Sequence, residues 1–270
     1  TRGPEYSRPI KSISDEVKLL YQKGAKEIVF LGQNVNAYND KSNNNDAKLS
    51  DLIRAISEFD SVKRIRYTTS HPINMDEELI QEHKNNMKLM PFLHLPVQSG
   101  SESILKKMNR KYDPDFYRRT IDRLKKAKPD IEISSDFIVG YPGETDQDFN
   151  DTLKLIDDIK FTQSYSFIYS SRPGTKSSTE ADSTPISVKK ERLLVLQEKL
   201  KKIQYSFNNQ FCNKTVKVLI ENQSSSNPEY FFGRTPFMQS VYIKSNDLVP
   251  GHEKDIDITS CNHKSLYGTC

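Results

Sequence analysis

The stretch Ile131-Glu132-Ile133-Ser134-Ser135-Asp136-Phe137-Ile138-Val139-Gly140-Tyr141-Pro142-Gly143-Glu144 decides the fold. Residues 131–139 form a largely apolar run, as a buried parallel strand reads. Gly140-Tyr141-Pro142-Gly143 stops it, and helical spacing resumes over 146–159. A strand, a Gly/Pro loop and a helix make one βα unit.

The same unit recurs on both sides. Val17, Leu20 and Tyr21 follow the spacing of a helix that Ser14 caps and Gly24 ends. Glu27-Ile28-Val29-Phe30-Leu31 is the next strand, closed at Gly32. Residues 39–48 are Asn-rich and read as a loop, and Leu49, Leu52, Ile53 and Ile56 form a helical stripe. Ile65–Thr69 is a strand closed by His71-Pro72, and 76–86 is a helix. Phe92–Leu95 is a strand stopped by Pro96, with helices expected over 101–108 and 113–126. Tyr165–Tyr169 is the fifth strand. Five strands separated by helices predict an α/β fold with a parallel sheet and right-handed crossovers. A complete eight-unit barrel needs roughly 250 residues, so the block is a partial barrel or an open doubly wound sheet.

Beyond it the texture changes. Residues 176–185 form a polar linker, and 187–209 form one long helix carrying Val188, Leu193, Leu194, Leu196 and Leu200. After Cys212, short β-type segments over 214–221, 231–234, 240–244 and 256–259 predict a small all-β barrel. The expected division is residues 1–205 and 206–270.

Composition narrows the function. The 270 residues carry 40 Lys and Arg against 36 Asp and Glu, a net +4 too small to identify a nucleic-acid partner. Residues 102–128 are more telling, with ten basic and four acidic side chains, and 187–210 hold six and two. Residues 212–270 balance six against six, so affinity for RNA is expected to rest on the two basic helical stretches. Three cysteines (Cys212, Cys261, Cys270) have no metal-site spacing and form no disulfide framework. No apolar run reaches about 18 residues, which excludes a membrane-spanning helix. Without a leader-like segment, and with sparse cysteines, a cytoplasmic location is expected.

Ligands of parallel α/β folds bind at the carboxyl ends of the strands. Here those ends read Gly32-Gln33-Asn34-Val35-Asn36, Thr69-Ser70-His71-Pro72, Pro96-Val97-Gln98-Ser99-Gly100-Ser101, Gly140-Tyr141-Pro142-Gly143-Glu144 and Ser170-Ser171-Arg172-Pro173-Gly174. Glycines permit close backbone approach and amides both donate and accept, which suits a polar amino-acid or nucleoside ligand. His71 and His94 lack the further ligands a metal needs and read as hydrogen-bonded structural residues. Asp136, on an apolar strand, must be paired or functional.

These loops carry a resemblance. Thr1-Arg2-Gly3, Ser7-Arg8-Pro9, Leu31–Tyr38, Thr69–Pro72, Leu93–Ser101, Met108-x-Arg110-x-Tyr112, Asp136–Thr145 and Tyr169-Ser170-x-Arg172-Pro173-Gly174-Thr175 resemble the radical S-adenosylmethionine methylthiotransferases. The stretch Gly32–Tyr38 is similar to the branch that modifies tRNA. The resemblance implies a partial radical-SAM βα barrel followed by a TRAM domain, an OB-like RNA-binding barrel. It implies methylthiolation of C2 of N6-isopentenyl-adenosine beside the anticodon, with S-adenosylmethionine and two [4Fe–4S] clusters. The partner is then the tRNA anticodon stem-loop, with no membrane and a monomer expected. It also implies a fragment, because the family's CxxxCxxC cysteines precede the Thr-Arg-Gly and its N-terminal domain precedes those. No cluster ligand is therefore expected on this chain. Gln33 and Asn34 are implied at the cofactor's amino end, and Gln98 and Ser99 at its ribose or carboxylate. Asp136 and the turn from Gly140 to Gly143 flank the adenine, and Arg172 meets a phosphate or carboxylate. Two other readings remain: an RNA-binding protein that keeps the barrel as scaffold, and a cluster-free hydrolase using Asp136 and His94.

Overall fold

The computed structural model describes residues 6–42, 46–174, 184–225, 227–245 and 247–270. The expected linker falls mostly outside them, as do the Thr-Arg-Gly opening and Thr175. Chain order is α1 (Ile10–Gln22), β1 (Glu27–Phe30), β2 (Asn39–Asp40), β3 (Ala47–Lys48), α2 (Leu49–Ser57), β4 (Arg64–Tyr67), α3 (Glu77–Asn85), β5 (Phe92–His94), α4 (Glu102–Lys107), α5 (Pro114–Ala127), β6 (Glu132–Val139), α6 (Asp146–Ile159), β7 (Gln163–Ile168) and α7 (Ile186–Asn209). A tail follows with β8 (Thr215–Gln223), β9 (Tyr230–Arg234), β10 (Ser240–Lys244), β11 (Glu253–Cys261) and β12 (Ser265–Thr269).

The helix starts have local causes. Asp76, Ser101, Asp113 and Thr145 each accept a backbone N–H of the first turn, and Asp113 is followed by Pro114 at N1. Thr145 and Asp148 close a reciprocal capping box. Ser14 does not cap α1. The helix begins one turn earlier, behind Pro9, whose ring presets φ at −56°. Gly24, at φ +91°, ends it as expected. Within residues 39–48, the two-residue strands β2 and β3 pair antiparallel.

The five expected strands are parallel and lie in chain order. β1 pairs with β4, and β5 with β6 and then β7. Backbone bonds from Ile65 to Lys88 and Met90 join the two groups. Chain order without a reversal is the order of a barrel, so the doubly wound alternative is set aside. Ile65, Leu93, Ile133 and Phe137 are buried in one core with Ile53, Ile56, Leu79, Leu124 and Leu155 of the helices. By strand alternation, Asp136 and Ile138 lie on the opposite, concave face.

The tail is a closed barrel of order β10-β12-β11-β8-β9, with β10 and β12 parallel and every other pair antiparallel. That is the OB-like barrel expected, plus one unexpected strand. β12 escapes a sequence reading because Leu266 and Gly268 are its inward residues, and glycine carries no apolar signal. A Cβ on Gly268 would lie 2.5 Å from the Asp257 carbonyl, and one on Gly233 2.5 Å from that of Leu219. Closure of so small a barrel requires glycine at both places.

The tail docks on the first block through buried arginines. Arg64 donates to Glu253 Oε1 and the Arg234 carbonyl, both at 2.8 Å. Arg66 donates to the carbonyls of Pro236 and Thr235 and pairs with Glu27 at 3.1 Å. Near the end of α7, Asn208 accepts from Gln239 and donates to the Asn262 carbonyl, and Phe207 meets Phe211 and Phe237 edge to face. Among the described residues, no helix is long and apolar enough to cross a membrane.

Candidate functional site

The loops at the carboxyl ends of β1, β4, β5, β6 and β7 are braced into one rim. Asn36 donates to the His71 carbonyl and accepts its N–H, at 2.9 and 2.8 Å. Asn34 donates to Asn74 Oδ1 at 3.2 Å. The His71 ring meets Tyr112 edge-on at 5.3 Å, and the Tyr112 hydroxyl donates to the Val97 carbonyl at 3.0 Å. Tyr112 thus couples the β4 loop to the β5 loop. Burial and the nearby Arg110 charge lower the His71 pKa, and burial pushes Tyr112 up to about 12, so both rings are neutral props near pH 7.

Gln98 continues the sheet past β5. Its N–H donates to the Asp136 carbonyl and its carbonyl accepts from Ile138, at φ +74°. That left-handed backbone is strained for a side-chain-bearing residue. Gly140 (φ +69°) closes β6, and its N–H donates to Glu144 Oε2 at 2.8 Å. The stem of Lys189 lies against it, where a Cβ would approach within 2.6 Å. Arg192, three residues on in α7, also donates to Glu144 at 2.8 Å. The long helix therefore pins the Gly140–Glu144 turn from outside.

On the concave face, His94 Nδ1 is 2.8 Å from Ser134 Oγ, and His94 Nε2 is 3.6 Å from Asp136 Oδ1. Tyr165 stands edge-on to His94 at 6.2 Å. Tyr165 and Phe167, register partners of Asp136 and Ile138, are about half exposed. Apolar rings beside a carboxylate and an imidazole form a floor for a flat heteroaromatic group. A cleft of about 560 Å³ opens beside Gln33 and Asn34, between α1 and β1.

Among the described rim residues, the side-chain oxygens of Asn34, Ser70 and Tyr169 are buried without a hydrogen-bond partner. Buried polar groups are rarely left so, and three on one rim fit a polar ligand that completes them. An amino-acid and nucleoside group such as S-adenosylmethionine satisfies that requirement. An iron–sulfur cluster does not fit the described residues: no three His, Cys, Asp or Glu side chains gather among them, and the cysteines all lie in the tail.

The expected residues fall into three groups. Gln98, Asp136 and Gly140 meet at the ends of β5 and β6. Gln33 and Asn34 sit on the β1 side, with Gln33 exposed. Arg172 is exposed beyond β7. Ser99 is placed differently: it is buried, its hydroxyl 3.3 Å from Thr152 Oγ1 and accepting the Ser101 N–H, so it supports the loop against α6. Ser70 and Tyr169 carry no role in the sequence reading, although both stand in the loops and motifs quoted there. Tyr165 and Phe167 were legible only as strand residues.

The family model for the radical SAM superfamily matches residues 1–156. A tRNA-2-methylthio-N(6)-dimethylallyladenosine synthase of Rickettsia bellii (strain RML369-C) is 49% identical over 270 residues, 99% of this chain and 60% of that protein. The protein of the same name from Rickettsia conorii (strain ATCC VR-613 / Malish 7) is 48% identical over the same shares. The chain thus spans about three fifths of the length of these curated relatives. Among solved structures, Escherichia coli coproporphyrinogen III oxidase (HemN), titled a radical SAM enzyme, superposes with a TM-score of 0.54 at 13% identity. That match covers 85% of this chain and 61% of HemN.

Proposed function

Because the chain belongs to the radical SAM superfamily, we propose that it is the barrel-and-tail part of a tRNA methylthiotransferase. The reaction is addition of a methylthio group to C2 of N6-isopentenyl-adenosine beside the anticodon. The supporting observation is the set of orphaned oxygens on Asn34, Ser70 and Tyr169, in the segments that follow β1, β4 and β7. It stands in a chain half identical to relatives of that name.

When bound, S-adenosylmethionine supplies the methyl group and the radical that an unactivated adenine C2–H requires. Gln33 and Asn34 hold its amino-acid end. Gln98 takes the ribose or carboxylate, while Ser99 holds the loop that presents it. Asp136 and the Gly140–Gly143 turn flank the adenine. Tyr165 and Phe167 offer a face to the target base, which an unstacked anticodon loop can deliver. Arg172 takes a phosphate or carboxylate. His94, steadied by Ser134, orients Asp136. Two [4Fe–4S] clusters are proposed for the whole enzyme, held by cysteines outside the described residues. The enzyme is proposed to act as a cytoplasmic monomer.

The hydrolase reading uses Asp136 and His94, which lie 3.6 Å apart, and predicts no change in the tRNA nucleosides. The scaffold reading predicts RNA binding without any change in the RNA. Deleting the gene and analysing tRNA nucleosides by mass spectrometry separates these readings. Loss of the 2-methylthio nucleoside, with its N6-isopentenyl precursor accumulating, is expected. An unchanged nucleoside profile overturns the enzyme reading.

A further inference from the structure

Two of the three cysteines meet at the joint between α7 and the tail. Cys212 lies three residues past the end of α7, and its N–H donates to the Asn209 carbonyl at 3.3 Å. Asn213, at φ +61°, then turns the chain towards β8. The ladder between β8 and β11 pairs Val216 with Ile256 and Thr215 with Asp257. Backbone bonds carry it further: Ile258 donates to the Lys214 carbonyl at 3.0 Å, and Asn213 donates to the Ile258 carbonyl at 2.8 Å.

At this point β11 gains a residue. Its pairing with β12 steps from Ile258–Gly268 to Ser260–Tyr267, so Thr259 is the extra residue of a bulge. Ile256 and Ile258 point into the tail core, and plain alternation would turn Cys261 outward. The bulge resets the phase, and Cys261 packs against that core. Counted with the extra residue, the position across from Cys261 on the β8 side is Cys212, which packs against the same core. The Cys261 thiol also lies 3.9 Å from Asn209 Oδ1, at the last residue of α7. Burial and the adjacent Cys212 thiol push the Cys261 pKa up to about 11. Cys270, the third cysteine, is exposed.

We propose that Cys212 and Cys261 are a modification site, a thiol pair that a hydroperoxide converts to a disulfide joining the end of α7 to β11. Neighbours across antiparallel strands have the spacing that a disulfide spans. Cys261 stays a thiol near neutral pH, so the first attack falls to Cys212. The Cys212 thiolate attacks one peroxide oxygen and becomes a sulfenic acid, and the other oxygen leaves and takes up the proton that Cys212 lost. The Cys261 sulfur then displaces the hydroxyl from the sulfenic sulfur, and its proton departs with that hydroxyl as water. Two thiols are oxidised, and one hydroperoxide is reduced to an alcohol and water. The new bond fixes the joint at which the tail leaves α7. It involves no group of the strand-end rim, so the inference stands apart from the reaction proposed there.

The test takes the reduced 270-residue chain, treats it with excess hydrogen peroxide, blocks the remaining thiols with N-ethylmaleimide and digests it with trypsin without reductant. The three cysteines fall in separate tryptic peptides, 203–214, 255–264 and 265–270. Mass spectrometry should find 203–214 joined to 255–264, lighter than their sum by two hydrogens, while 265–270 carries maleimide. Dithiothreitol should part the joined peptides. Cys270→Ser should leave the cross-link intact, and Cys212→Ser should abolish it. Phenylarsine oxide, which bridges adjacent thiols, gives a second reading on the reduced parent chain without any substitution. It should shield Cys212 and Cys261 from maleimide and leave Cys270 open. Maleimide on all three cysteines after peroxide would overturn the proposal. So would Cys270 joined to either partner as abundantly, or Cys212 and Cys261 left unshielded by the arsenical.

Discussion

Arg192 of α7 donates from Nη1 to Glu144 Oε2 at 2.8 Å, and both side chains are more than nine-tenths buried. Glu144 also accepts the Gly140 N–H. One carboxylate therefore ties the strand end, the turn and the long helix together. Arg192→Ala would leave that carboxylate buried with no cation, a change that costs about 3–5 kcal/mol. Urea unfolding should show a loss of this size, and Arg192→Lys a smaller one. A loss under about 1 kcal/mol would mean that the turn is held by other means.

Glu132, at the start of β6, has its pKa raised to about 7 by burial, with the Lys125 charge only partly offsetting this. A carboxyl raised on folding favours the proton-bearing form in the native state. Its contribution is therefore full below the unfolded value of about 4.3 and is lost as pH rises through about 7. Urea midpoints should accordingly fall between pH 5 and pH 8, and Glu132→Gln should flatten that fall. A variant with the parent's pH dependence would remove Glu132 as its source.

Gly100 sits where a Cβ would come within 2.6 Å of both the Asp151 carbonyl oxygen and the Thr152 Cα. Both atoms are backbone of α6 and have little room to move. Gly100→Ala should destabilise the chain by about 1–3 kcal/mol, as overpacking does. Differential scanning calorimetry would register it as a drop of several degrees; an unchanged midpoint would mean that the loop can step away from the helix.

Gln98→Gly separates folding from binding. Glycine adopts φ +74° freely, so the relieved strain offsets the added freedom of the unfolded chain. Stability should stay within about 1 kcal/mol of the parent. Affinity for S-adenosylmethionine, measured by equilibrium dialysis on the cluster-loaded longer polypeptide, should fall about tenfold, as expected for one lost hydrogen bond to a charged group. Unchanged affinity would take Gln98 out of the site.

The barrel was legible in the sequence because strands buried on both faces show as short apolar runs, and their ends as Gly, Pro and amide clusters. Asp136 stood out as a carboxylate on an apolar strand, whereas Asn34 was assigned only through the family resemblance. Ser99 did not differ from its neighbours: a hydroxyl in a βα loop looks the same whether it meets a ligand or a helix. Arg64 and Arg66 were equally opaque. Charged residues alternating along a strand read as solvent-facing, whereas their acceptors lie 170 residues downstream. No local pattern encodes a partner so distant. β12 was lost for the opposite reason, since its closest packing falls on a glycine.

The helix α7 is gripped at both ends, by Glu144 near its start and by Gln239 and Asn262 near its finish. Its 24 residues reach about 36 Å, from the rim of the strands down to the docked tail. It therefore works as a gauge block. Inserting one residue would turn the tail by about 100° and advance it by about 1.5 Å, breaking the Arg64 and Arg66 contacts without altering a single contacting residue. What is held fixed between the two modules is a count of residues and a phase angle, and the only molecules that can touch both ends are those long enough to match that count.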